Sequence, residues 1–113
     1  MAGNDACLQC HPALRDNLTA HTKHQAASAG SSCYNCHMPY TTYGLLKTMR
    51  SHTVSSPSVG ESVASGRPNA CNLCHLDKSL SWTAAALEAR DGGPRASELP
   101  AGEAGSLSAA VLW

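Results

Sequence analysis

Six cysteines and six histidines carry the chemistry of this 113-residue sequence. The cysteines fall into three pairs with two residues between: Cys7/Cys10, Cys33/Cys36 and Cys71/Cys74. The residue after each pair is a histidine: His11, His37 and His75. C-x-x-C-H is the spacing that attaches a c-type haem. Its two thiols form thioethers to the porphyrin, and the adjoining imidazole reaches the iron from one side. The threefold repeat therefore predicts three haems c, with His11, His37 and His75 as proximal ligands.

The other three histidines, His21, His24 and His52, equal in number the axial positions that remain, so each is expected to be a distal ligand. Methionine is the other usual sixth ligand and raises the potential relative to histidine. Met38 adjoins His37 and cannot cross to the far face of the same ring. Met49 stays open as an alternative to His52, and Met1 is a poor candidate. If His21 and His24 lie on one helix, their Cβ atoms are about 5–6 Å apart. They then serve two different haems, because one axial site of each is already filled, and those haems are held close enough for fast electron exchange.

Structural zinc competes for the same residues. Cys7, Cys10, His21 and His24 read C-x2-C-x10-H-x2-H, which is near zinc-finger spacing without matching it. The other two pairs lack two downstream histidines each, and zinc gives no reason for a histidine after every second cysteine. A disulfide framework explains none of the histidines.

Eight basic and eight acidic residues leave a formal charge of zero, which gives no footing for nucleic acid. No apolar run approaches the roughly 18 residues of a transmembrane helix. Only 4% of the residues are aromatic and there is no Phe. Small domains often need metals or disulfides to hold together, so the polypeptide reads as a wrapper around its porphyrins. The first motif begins too soon after Met1 to leave room for an apolar signal segment. Haem c is normally attached outside the cytoplasmic membrane, so the expectation is a periplasmic or extracellular protein whose export segment has been removed or lies in a longer precursor.

The elements that position these residues read as mainly α with extensive irregular structure and no sheet. Pro12 suits the first position of a helix, and Leu14, Leu18 and His21 form one helical stripe with His24 beside it. A second helix is expected from about Thr41 to His52, with Leu45, Met49 and His52 as its stripe; Gly44 weakens it by roughly 1 kcal/mol. Residues 53–69 read as a surface loop, with Asn69 as N-cap of the third motif. Ser81 to Arg90 is the strongest helix, with Trp82, Ala86 and Ala89 on one side and Gly92-Gly93-Pro94 ending it. Residues 1–91 form the trihaem domain, and 92–113 an Ala/Gly/Ser-rich tail, either disordered or an arm that docks its apolar end.

These motifs resemble those of multihaem c-type cytochromes. His21-Thr22-Lys23-His24 ahead of Cys33-x-x-Cys36-His37 is similar to the H-x-x-H…C-x-x-C-H arrangement of class III cytochromes c, where the two histidines ligate different haems. By that likeness His21 goes to the second haem. Cys33-x-x-Cys36-His37-Met38-Pro39, Arg50-x-His52, Pro68-Asn69-Ala70-Cys71 and His75-x-Asp77-Lys78 with Trp82 resemble bacterial multihaem cytochromes, some of which fuse a haem segment to helical repeats. The sequence departs from those in having no repeat array, and from class III in lacking a fourth motif.

The function expected is electron transfer rather than catalysis, since no Ser-His-Asp set, phosphate loop or paired carboxylate appears. Partners would be redox proteins or further copies of the chain, the latter giving a homopolymer that conducts along a filament. A haem subunit of a membrane redox complex and a reductase with one open haem are the alternatives.

Overall fold

Nine glycines and six prolines break the chain into short turns rather than long helices. The computed structural model describes residues 3–42, 48–92 and 99. Its elements are α1 (Asp5–Leu8), a 3₁₀ turn (Pro12–Leu14), α2 (Leu18–Thr22), a 3₁₀ turn (Ala29–Ser31), α3 (Cys33–His37), β1 (Tyr40–Thr42), β2 (Thr48–Arg50), α4 (Val59–Ser65), a 3₁₀ turn (Cys71–Leu73) and α5 (Leu80–Asp91). The fold is mainly α, and two compact units divide the chain at Ser56/Pro57.

In the first unit, Pro12 does open a helical turn, but the turn ends at Leu14 and α2 starts anew at Leu18. The helix ends at Thr22 because Lys23 takes a left-handed conformation, φ 59°. His24 therefore lies beyond α2 and off the helical face it was expected to share with His21. The second correction is the sheet. Tyr40–Thr42 and Thr48–Arg50 pair antiparallel, with Tyr40 opposite Arg50, Thr41 opposite Met49 and Thr42 opposite Thr48. β-branched and aromatic residues favour a pleated surface over a helix. The pair is also fixed by Arg50, whose guanidinium lies 4.5 Å from the centre of the Tyr40 ring across the strands. Met49 is exposed on β2, and His52 follows the strand in an exposed coil. The expected stripe residue Leu45 lies outside the described residues, as does Gly44.

Leu8 is the single buried hydrophobic side chain among the described residues of this unit. Hydrogen bonds to Ser31, which is buried, replace an apolar centre: its hydroxyl donates to the carbonyl of Gln25 at 2.9 Å and lies 3.0 Å from the Thr22 hydroxyl.

The second unit has a conventional small core of Val59, Leu80, Ala84 and Leu87, with Cys71 and Leu99 packed against it. The expected 53–69 loop contains α4, capped by the Ser58 hydroxyl, which accepts from Glu61 N–H at 3.2 Å. The helix expected over 81–90 is present as α5, capped by Ser79 at its start and by Gly92 (φ 73°) at its end. Its buried face is Leu80, Thr83, Ala84 and Leu87, whereas Trp82, Ala86 and Ala89 lie on the exposed side. The tail beyond Gly92, apart from Leu99, lies outside the described residues.

Candidate functional site

Each C-x-x-C-H motif folds as a helical turn, so that two cysteines three apart meet on one side with the histidine just beyond. In the first, the N–H of His11 donates to the Cys7 carbonyl at 3.0 Å; in the third, His75 N–H donates to the Cys71 carbonyl at 2.9 Å. The second motif is α3 itself, from Cys33 to His37. No two of the six cysteines are joined in a disulfide. Three turns of the same design present a thiol pair and an imidazole each, which is the donor set that thioether attachment of a haem uses.

The residues inside the motifs anchor them. Asn35 Nδ2 donates to the Ala29 carbonyl at 2.8 Å, and Asn35 Oδ1 accepts from Arg50 at 2.9 Å. Arg50 also donates to the carbonyls of Tyr34 and Met38, at 2.9 and 3.1 Å, and so holds the C-terminal end of α3. In the second unit Asn72 is buried, donating to the Lys78 carbonyl at 3.0 Å and accepting from the Thr83 hydroxyl at 2.8 Å. Asn69 caps this turn as expected from sequence, one residue ahead of the formal cap: its Oδ1 accepts from Cys71 N–H at 3.0 Å, and its Nδ2 donates to the Ser58 carbonyl at 3.1 Å.

Two imidazoles are oriented by main-chain oxygens. His37 Nδ1 lies 2.8 Å from the Ser55 carbonyl, while Ser55 N–H donates to the His37 carbonyl at 3.0 Å. His24 Nδ1 lies 2.6 Å from the Thr22 carbonyl. Carbonyls only accept, so Nδ1 carries the proton in both rings, leaving Nε2 with its lone pair. This is the usual support of a metal-binding histidine. The His24 ring lies so close over Gly30 that a Cβ there would overlap its Cδ2 and Cγ.

His21 and His37 come together: their ring centres are 6.2 Å apart and their planes differ by 7°. His75 is packed by Trp82, with ring centres 4.8 Å apart and planes at 47°. His11 and His52 are exposed. The first and second motifs also meet, since the Cys33 thiol hydrogen-bonds that of Cys7. Burial first, then the charge of Cys7 and that hydrogen bond, push the Cys33 thiol above its ordinary range.

Among the described residues, no three His, Cys, Asp or Glu side chains converge on one point as a zinc site requires. No helix among them is long and apolar enough to cross a membrane. Sequence reasoning missed Asn4, Gly30 and Ser55, and quoted Arg50 only as part of a likeness. The x positions of the motifs offered a signal, since a buried or anchoring Asn there needs partners nearby.

No curated protein and no solved structure matches the chain. The family model for cytochrome c552 matches residues 21–92, which run from His21 through the second and third motifs to the end of α5. The first motif precedes the matched segment. Covalently bound haem c and haem-based electron transfer follow from that match, and the chain belongs to the cytochrome c552 family.

Proposed function

We propose that the chain holds three haems c and passes electrons between them outside the cytoplasm. Cys7/Cys10, Cys33/Cys36 and Cys71/Cys74 attach the porphyrins, and His11, His37 and His75 bind the irons from one side. His21, His24 and His52 bind from the other. The observation that carries this reading is the recurrence of one helical turn at all three motifs, thiol pair and imidazole together. The scarcity of buried apolar side chains in the first unit adds to it, because flat apolar cofactors there supply the burial the side chains do not.

Each bound haem supplies a one-electron ferric/ferrous couple. The protein's part is to fix positions, select axial ligands and set the local dielectric. Ser55 and Thr22 hold His37 and His24 with Nε2 available. Intact mass under denaturing conditions, with a pyridine haemochrome spectrum, tests the reading. It should show the peptide plus three haems; the bare peptide mass, or zinc in place of iron, would end it.

A second reading has a specific observation behind it. Residues 57–113 contain His75 and no other histidine or methionine. If no imidazole from outside that segment reaches the third haem, it keeps an open axial position, as a reductase requires. Binding of CO or nitrite to one haem of the native protein would select that reading, and three six-coordinate low-spin irons would exclude it. Assembly of copies into a conducting filament is the version in which the route extends past one chain. Microscopy and light scattering separate it from a soluble shuttle or a subunit of a membrane redox complex.

A further inference from the structure

One side chain joins the first two attachment turns. The Asn4 carbonyl accepts the N–H groups of Cys7 and Leu8, both at 3.0 Å, and so starts the first turn. Its side chain does the same for the second. Asn4 Oδ1 accepts the N–H of Cys33 at 2.9 Å, and Asn4 Nδ2 donates to the Ser31 carbonyl at 2.8 Å. Ser31 is buried and held through its hydroxyl by Gln25 and Thr22, so the far anchor is itself rigid. Only a side-chain amide offers a donor and an acceptor in this arrangement; aspartate keeps the acceptor and alanine keeps neither.

The position matters because of what these turns bear. Cys7 and Cys33 begin two different motifs whose first turns both bond to Asn4, so porphyrins attached there leave the chain from neighbouring points. Electron exchange and charge repulsion between two haems both depend on their separation, and a clamp between the attachment turns sets it. Resting on the haem reading above, we propose that Asn4 is the positioning residue that locks the first two haems into one electronically coupled pair. Reducing one member of the pair then disfavours reducing the other.

The test uses the haem-loaded full chain. In the native protein, two of the three ferric low-spin EPR signals should be broadened by their mutual interaction, and the two should titrate with interacting potentials. Asn4→Ala should narrow those signals and remove the interaction while intact mass still shows three haems. Asn4→Asp should fall between, and it is the variant read if the alanine form does not accumulate. Asn17→Ala, which removes an exposed amide bonded to the Ala13 carbonyl, controls for loss of a side-chain amide as such and should match the native spectra. Three haems with no coupling in the native protein, or with undiminished coupling in both Asn4 variants, would overturn the inference and leave the haem reading intact. Fewer than three haems in the native chain would instead remove the reading on which it rests.

Discussion

His21 and His37 face each other with ring centres 6.2 Å apart and planes only 7° from parallel. That separation is long for rings in face-to-face contact. His37 is the histidine of the second motif, and its Nδ1 is committed to the Ser55 carbonyl. The class III likeness pairs His21 with the haem of the second motif, and that pairing is what replacement of His21 tests. Replacing His21 by Ala should leave three attached haems and create one high-spin iron that binds CO. Wild-type absorption spectra in that variant would remove His21 from the ligand set.

His24 follows a different route to its place. The left-handed turn at Lys23 carries it away from α2, Thr22 holds its Nδ1, and Gly30 leaves room for its ring. The ring is pinned and cannot swing aside freely. Gly30→Ala should therefore push it off its position and yield a high-spin fraction on one haem, whereas Ala29→Gly should not. CO difference spectra of the two variants give the answer. A low-spin, CO-silent Gly30→Ala protein would show that His24 is not a ligand.

How much of this was legible in the sequence depends on the range of the interaction. The helical turns of the motifs were not foreseen, but α5 follows from local spacing and was readable. So was the Asn69 cap, since a side chain that bonds two residues on announces itself locally. The 41–52 helix was misread because its apolar stripe could be counted while the cross-strand partner of Tyr40 could not. Arg50 and Tyr40 are ten apart in sequence and face each other only once the strands pair. Asn4 and Ser55 were missed for the same reason. Their partners, Cys33 and His37, lie 29 and 18 residues away, and nothing in periodicity links such positions. The buried face of α5 was also obscured, because Thr83 takes a core position by bonding to Asn72.

That Thr83–Asn72 bond fixes the third motif. Both side chains are buried, so Thr83→Val leaves the Asn72 oxygen without this donor, at a cost of about 1–3 kcal/mol. Denaturant unfolding of the haem-loaded protein should register that loss. Ala86→Ser, on the exposed side of α5, should stay within about 0.5 kcal/mol of the native protein. Equal midpoints for Thr83→Val and native protein would show that the motif is held by the haem alone.

Arg50 places a fixed positive charge against the carbonyl end of α3, with its guanidinium 5.7 Å from the Tyr34 ring as well as 4.5 Å from that of Tyr40. A cation beside a haem disfavours the more positive ferric state. Two imidazole ligands pull the other way, and the midpoint potentials are expected to be mostly negative. Arg50→Gln should lower one of the three further and leave the others in place. Arg50→Lys should restore part of the potential without the forked hydrogen bonds to Tyr34, Met38 and Asn35. Redox titration followed optically distinguishes these outcomes. A uniform change in all three centres would point to general loosening rather than to a local charge.

The last prediction concerns the chain before haem attachment. Burial and the neighbouring Cys7 raise the Cys33 pKa, so at a given pH a smaller share of Cys33 is thiolate, the reactive form. Alkylation of the haem-free chain should be slower at Cys33 than at Cys10 and Cys74, which are exposed. The lag should shrink as pH rises through the elevated value. Cys7→Ser removes the charge repulsion but not the burial, and should recover only part of the rate. Peptide mapping by mass spectrometry after timed labelling reads each site separately. Equal rates at Cys33 and Cys10 across the pH range would show that the haem-free chain in solution does not bury Cys33 against Cys7.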